Sequence, residues 1–196
     1  MPILAYFEVG ERTKATVTAI FRRGRRSPHL PIQCQTKNMP KQETVSLRKH
    51  LADLLSMKGA HLTFDAALAA FPVALRGAKP PGAPHTAWQL LEHLRLAQED
   101  ILDFSRNPDY RDKKFPDDYW PSGETPPDEK AWDRAVQQFR DDLNEMQALI
   151  SDTKHDLLAK IPHGKGQSLL REALVLADHN SYHLGQLVFL RTMREA

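Results

Sequence analysis

The chain has 196 residues, 41% of them apolar and 27% charged, with a formal net charge of +2. This length suits one globular domain, or one domain with an extension. The single cysteine, Cys34, excludes a disulfide framework and a cysteine-based zinc cluster. No apolar run approaches the roughly 20 residues that span a bilayer, and no secretory signal is visible, so we expect a cytoplasmic protein without a membrane partner.

Residues 1–38 differ from the remainder in charge and in pattern. They carry a net charge of +5, which leaves −3 for the other residues, and Gly24, Pro28 and Pro31 interrupt any regular element. Three explanations compete: a nucleic-acid-binding tail, an organelle-targeting segment, or an artefact of start assignment. We favour translation from Met39, where a short polar lead runs into an amphipathic helix. The mildly acidic remainder argues against a nucleic-acid partner.

Helical periodicity begins shortly after Met39. The first predicted helix covers about 43–57 and ends before Gly59, because apolar residues recur there at spacings of three and four: Leu47, Leu51, Leu54 and Leu55. A short helical segment is predicted over 63–72, and the proline- and glycine-rich residues 76–84 predict a loop.

The second long helix has a readable beginning and end. Thr86 and Gln89 match a capping box, in which each side chain accepts the backbone N–H of the other residue. Asn107 and Pro108 end the helix. Its predicted buried stripe consists of Leu90, Leu91, Leu94, Ala97, Ile101, Leu102 and Phe104.

A long connection follows over 107–127, with five prolines and with Tyr119 and Trp120 among its aromatic residues. Connections of this length in compact domains are often functional, and the aromatic residues predict that it packs on the helices as a lid. A third helix is predicted over about 128–151 and a fourth over about 168–193. Four long helices without strand-like alternation predict an all-α four-helix bundle.

Two histidines of the fourth helix, His179 and His183, are four residues apart and therefore lie on one face. Two imidazoles at this spacing can chelate a divalent metal, although the pair is also typical of half-exposed histidines that contact water or backbone. Asn180 stands where a zinc protease has its glutamate base, which excludes that class. The pair lies beside a predicted core stripe of Leu170, Leu174, Ala177, Leu184, Leu187 and Val188.

The best candidate for a third ligand is His93, which lies among the buried leucines of the second helix and needs a polar partner there. Alone, it would be typical of a satisfied core histidine. Together with His179 and His183 it would form a three-histidine site with open coordination positions, as in catalytic metal centres. The other candidates are an acid or one of three further histidines: His85, which precedes the helix cap, His155 and His163.

Three stretches together resemble the DinB-like superfamily, which includes the YfiT-type proteins classed as metal-dependent hydrolases. They are HTAWQLLEHLRLAQEDI, the aromatic-rich loop, and LREALVLADHNSYHLGQLVFLR. The most specific element is the closing H-x-x-x-H-x-G-Q of residues 179–186. The resemblance covers about 39–196, leaves residues 1–38 outside it, and implies a four-helix bundle in up-up-down-down order.

The resemblance also implies a homodimer and a divalent metal, often nickel or zinc, held by His93, His179 and His183; imidazole donors suit iron as well. Known family activities are mainly metal-dependent transfers of low-molecular-weight thiols, such as bacillithiol or mycothiol, and a thiol-dependent maleylpyruvate isomerisation. We therefore expect a thiol S-transferase or hydrolase whose metal activates a thiol or water. Glu172 and Asp178 are candidate general bases or outer-shell groups, or simply solvated or capping acids. The alternative is a non-catalytic metal-containing stress-response or binding protein.

Overall fold

The computed structural model describes residues 41–195, so the predictions made for residues 1–38 and for a domain start at Met39 lie outside the described residues. The helices are α1 (Lys41–Leu55), α2 (Phe64–Leu68), α3 (Val73–Arg76), α4 (Ala87–Arg106), α5 (Ala131–Ser151) and α6 (Leu169–Glu195), with a 3-10 helix at Asp117–Tyr119. Over this range no β-strand forms, and the one bridge joins Lys160 to Ser168. The all-α prediction is therefore confirmed. None of these helices is long and apolar enough to cross a membrane.

The four long helices lie where the sequence predicts them, and the differences concern their ends and one short segment. α1 ends at Leu55 instead of continuing towards Gly59, and Met57 has a left-handed backbone with φ of +54°. Within the segment predicted over 63–72, only α2 is helical, and α3 is a further short helix that follows this segment. Ala70 has a left-handed backbone with φ of +50°, which a right-handed helix cannot contain, and Pro72 directly precedes α3.

The predicted capping box begins α4. Thr86 Oγ1 accepts the Gln89 N–H at 3.2 Å, and Gln89 Oε1 accepts the Thr86 N–H at 3.0 Å. The Thr86 hydroxyl also donates to the backbone carbonyl of Glu124 at 2.7 Å. One side chain therefore satisfies the beginning of α4 and attaches the α4–α5 connection to it.

Hydrogen bonds between α1 and α5 show that these helices are antiparallel. Arg48 donates to the carbonyl of Ile150, which lies at the end of α5. Gln147, one turn earlier on α5, donates to the carbonyl of Ala52, which lies one turn later on α1. The numbering of the two helices therefore runs in opposite directions.

α4 and α5 run parallel, and α6 runs opposite to both. Gln98 donates to the Phe139 carbonyl, and Arg106, two turns later, pairs with Glu145. The beginning of α4 shares an apolar cluster with the end of α6, while the end of α4 shares another with the beginning of α6. In chain order the long helices thus run up-down-down-up, and the predicted up-up-down-down order is wrong. The long connection joins the parallel pair, which needs a crossover.

Two apolar clusters fill the bundle, and a layer of polar side chains lies between them. The first cluster includes Phe64, Trp88, Leu91, Phe139 and Leu187. The second includes Leu55, Ile101, Met146, Ile150 and Leu176. The layer consists of five buried polar side chains of α4 and α6: His93, Gln98, His179, Asn180 and His183. Buried polar groups need partners, so this layer is where binding chemistry is expected.

Candidate metal centre

His93 of α4 meets His179 and His183 of α6 in the polar layer. The exposed fractions of these three residues are 5%, 9% and 6%, and one ligand nitrogen from each lies within 4.8 Å of the other two. The Nε2 atoms of His93 and His179 are 3.1 Å apart. Two nitrogens bound to one tetrahedral zinc ion are separated by about 3.3 Å. The three residues singled out from the sequence are therefore close enough to share one ion.

Hydrogen bonds fix the ring orientation of two of the histidines. His93 Nδ1 lies 2.9 Å from the backbone carbonyl of Tyr119, and His183 Nδ1 lies 2.8 Å from Gln186 Oε1. Both partners are carbonyl oxygens, which only accept, so each Nδ1 carries the ring proton. Each neutral ring then presents the lone pair of Nε2, which is the atom that a metal would bind.

Burial keeps the three imidazoles neutral at neutral pH. It lowers the pKa of His93 from 6.5 to about 4; the hydrogen bond to the Tyr119 carbonyl opposes this shift, while the charges of His183 and His85 add to it. It lowers the pKa of His179 to about 3, with repulsion from the other two histidines adding. It also lowers the pKa of His183. Neutral imidazole is the form that binds a metal, so protons compete weakly for these nitrogens at neutral pH.

The donor set fits a divalent transition metal. Among the residues that the structure describes, this group consists of imidazoles without a carboxylate, which suits Zn, Ni or Fe. Two atoms beside it, His179 Nδ1 and Asn180 Oδ1, are buried without a hydrogen bond of normal geometry. If His179 Nε2 binds a metal, its Nδ1 carries a proton that the Asn180 oxygen can accept, and both atoms are satisfied.

Trp120 covers one face of the site. Its ring stacks on His93 with centroids 3.9 Å apart and planes 1° from parallel, and His85 stacks on Trp120, also at 3.9 Å. Two rings cannot occupy the same place above one centroid, so His85 and His93 lie on opposite faces of the indole. The aromatic residues predicted a connection that packs on the helices, and the structure confirms it. His85, one of the alternative ligand candidates, therefore contacts Trp120 and does not join the group of His93, His179 and His183.

A chain of buried amides lies beside the histidines. Asn180 Nδ2 donates to Gln98 Oε1 at 3.0 Å, and Gln98 Nε2 donates to the Phe139 carbonyl at 2.6 Å. In the sequence, Asn180 is notable only as the residue that stands where a zinc protease has its glutamate base. The signal for its partner is a polar residue in the apolar stripe of α4, because Gln98 falls between Leu94 and Ile101.

The two acids proposed as catalytic lie outside the group of ligand atoms. Glu172 is buried and accepts a hydrogen bond from Arg171 Nη1 at 2.7 Å, while Asp178 is exposed. Their catalytic role stays a prediction. The alternative ligands His155 and His163 line a separate cavity of about 650 Å³ beside the end of α4 and the beginning of α6. They do not join the three buried histidines.

Comparison with known proteins gives a family match. The family model of the DinB superfamily matches residues 59–187, about two-thirds of the chain, and this range contains all three histidines. No curated protein and no solved structure matches the chain.

Proposed function

The chain belongs to the DinB superfamily, and from this premise we propose that it is a metal-dependent protein in which His93, His179 and His183 hold one divalent ion. We propose further that the ion activates a low-molecular-weight thiol or a water molecule, so that the protein acts as a thiol S-transferase or a hydrolase. Zn, Ni and Fe suit three imidazole donors.

One observation carries the proposal: three buried neutral imidazoles place ligand nitrogens within 4.8 Å of one another. A polar group left unpaired in a protein interior costs about 1–3 kcal/mol. A direct hydrogen bond between the Nε2 atoms of His93 and His179 would satisfy that pair and leave the Nε2 of His183 outside it. A divalent ion would bind all three nitrogens at once.

A divalent metal held by the three histidines would lower the pKa of a thiol or water bound to it. Three protein ligands leave coordination positions open for that group. The Tyr119 carbonyl and Gln186 keep His93 and His183 oriented, and Trp120 shields one face of the His93 ring from water. For thiol transfer, the thiol would release its proton to solvent, and its sulfur would form a bond to the electrophilic carbon. The leaving group then departs with its bonding electrons.

A non-catalytic metal-containing stress-response or binding protein is the second candidate. The surroundings of the acids favour it, because Glu172 is paired with Arg171 and Asp178 is exposed. The histidine group in the described part of the chain therefore contains no acid that could serve as a base. In this case the metal would stabilise the fold instead of activating a substrate.

Assays of catalytic turnover distinguish the proposed enzyme from the non-catalytic metal-containing protein. Zinc-loaded protein is incubated with low-molecular-weight thiols and monochlorobimane, which forms a fluorescent thioether and releases chloride, and separately with p-nitrophenyl acetate. An enzyme shows zinc-dependent turnover in one assay, which His179→Gln abolishes. His50→Gln, which changes an exposed histidine of α1, retains it. Absence of turnover in both assays, together with unfolding when a chelator removes the metal, supports the structural role.

We also propose a homodimer. Three apolar side chains lie on one face of α6, with exposed fractions of 52% for Tyr182, 62% for Phe189 and 45% for Met193. Gly185 lies on the same face, and a Cβ added there meets nothing within 4 Å. Exposed apolar groups of this kind mark interaction surfaces, and a second copy is the partner that family membership suggests. The single cysteine of the sequence supports a reducing, cytoplasmic location.

A further inference from the structure

The end of the α4–α5 connection is attached to α4 at two points. The Tyr119 hydroxyl donates to Asp100 Oδ2 at 2.6 Å, while the Tyr119 backbone carbonyl accepts from His93 Nδ1 at 2.9 Å. Residues seven apart lie on one face of an α-helix, about 10.5 Å from each other along its axis. Tyr119 spans this interval, so it joins Asp100 to a member of the metal centre.

Asp100 is buried, with an exposed fraction of 5%. A carboxylate at this depth needs hydrogen-bond donors, and two phenols supply them: Tyr110 donates to Oδ1 at 2.9 Å and Tyr119 to Oδ2. The two tyrosines differ in their other contacts. Tyr110 packs edge-on against Phe104, near the end of α4, whereas the backbone of Tyr119 contacts His93. One carboxylate therefore anchors two tyrosines, of which one reaches the site.

We propose that Asp100 is a positioning residue for the metal centre and acts through Tyr119. The hydrogen bond to the Tyr119 phenol fixes that residue along α4, so its carbonyl stays on His93 Nδ1. The same attachment holds the next residue, Trp120, against the face of the His93 ring. The inference rests on the proposed function for what the positioned nitrogen binds, but the tautomer of His93 is defined without any metal.

Tyr119 needs this anchor because it lies in the α4–α5 connection, which is free to move. α4 ends at Arg106 and α5 begins at Ala131, and irregular connections move more than the helices that they join. Without its anchor, the Tyr119 carbonyl can leave His93 Nδ1, and the preference for a proton on that nitrogen is lost. A ring that carries its proton on Nε2 cannot use Nε2 as a ligand.

Two matched variants test the inference, Tyr119→Phe and Tyr110→Phe. Each removes one phenol oxygen from the same carboxylate, and only the first affects a residue that contacts His93. Long-range nitrogen–proton correlation spectra of metal-free protein with isotope-labelled histidine report the ring tautomers. The His93 signals are identified by their loss in His93→Gln. Zinc affinity is measured by competition with a chromophoric chelator.

We expect Tyr119→Phe to give His93 a mixture of tautomers and to weaken zinc binding about tenfold, as loss of an outer-shell partner does. Tyr110→Phe keeps the Nδ1–H tautomer and changes the affinity by less than about twofold. If Asp100 only stabilised the fold through its two tyrosines, both variants would change the His93 tautomer and the zinc affinity to the same extent. Equal effects of the two variants, or an unchanged His93 tautomer in Tyr119→Phe, therefore overturn the inference.

Two further outcomes are decided by the same measurements. If the wild-type protein binds no zinc, the proposed function fails, and the tautomer comparison in the metal-free protein still decides the role of Asp100. If Tyr119→Phe does not fold, Asp100→Asn replaces it, since this variant keeps the side-chain volume and weakens the acceptor of both phenols. The same tautomer mixture is then expected, and an unchanged tautomer overturns the inference.

Discussion

Among single residues, the buried histidines couple the stability of the protein to pH. Burial lowers the pKa of His93 to about 4 and that of His179 to about 3, from the ordinary value of 6.5. As the pH falls below 6.5, the unfolded chain therefore takes up protons that the folded rings do not. Above this value both states are neutral, and the contribution of the histidines to the free energy of unfolding is constant.

We predict that the metal-free protein is less stable at pH 5 than at pH 7, and that His93→Gln has a smaller difference. Because the pKa of His93 is depressed in the folded protein, this residue alone lowers the free energy of unfolding by about 2 kcal/mol at pH 5. Urea unfolding at the two pH values measures the effect. His50→Gln, which changes an exposed histidine, serves as the control that keeps the wild-type difference. An identical pH dependence in His93→Gln and wild-type protein would contradict the assignment.

The positions of the three histidines could be predicted from the sequence, but their orienting partners could not. The spacing of His179 and His183 is a local property of one helix, and His93 is conspicuous among leucines. Tyr119, in contrast, contributes a backbone carbonyl, which every residue has, from 26 residues away in the chain. Trp120 was recognisable as a packing residue, although its contact with His93 was not.

At the level of elements, the beginning of α4 is coupled to the connection that covers the site. Thr86→Ala removes the hydroxyl that accepts from Gln89 N–H and donates to the Glu124 carbonyl. We predict a loss of about 1–2 kcal/mol in the free energy of unfolding. Thr86→Ser keeps the hydroxyl and recovers most of it. Denaturant unfolding of the two variants measures the difference, and equal stability would show that the cap contributes nothing.

α6 shows why the spacing of apolar residues does not always identify the buried face of a helix. The predicted core stripe contains Leu174, which is 47% exposed, whereas Ala173, Leu176 and Asn180 are buried. This helix packs against α1, α2, α4 and α5 and also exposes apolar side chains. Apolar residues therefore occur on most of its sides, and no single stripe stands out. The capping box of α4 was predictable because it depends on residues three apart.

For the whole molecule, the directions of the helices were the least predictable feature. Apolar spacing gives the position and length of a helix, but it contains no information about which way the helix runs. The length of the connection before Ala131 was the useful signal, since a parallel pair needs a crossover. Its assignment to α4 and α5 follows from contacts between distant residues, such as those of Gln98 with Phe139.

If the protein is a homodimer through the exposed face of α6, a substitution in that face should change the mass measured in solution. Phe189→Asp places a charge in the exposed apolar face of α6 and should give a monomer, because a buried unpaired charge is unfavourable in an interface. Val73→Asp changes a side chain of α3 that is 76% exposed, and it should keep the wild-type mass. Light scattering after gel filtration measures both. A monomeric wild-type protein or a dimeric Phe189→Asp would contradict the proposed interface.

Measuring the metal content of the protein tests the proposed centre without the need for a substrate. Protein purified without a His tag, or reconstituted with zinc, is analysed by elemental mass spectrometry together with His93→Gln and His50→Gln. We predict about one divalent ion per chain in wild-type protein and in His50→Gln, and loss of the ion in His93→Gln, because three neutral imidazoles form the site. Less than about a tenth of an equivalent in both purified and reconstituted wild-type protein would contradict the metal centre.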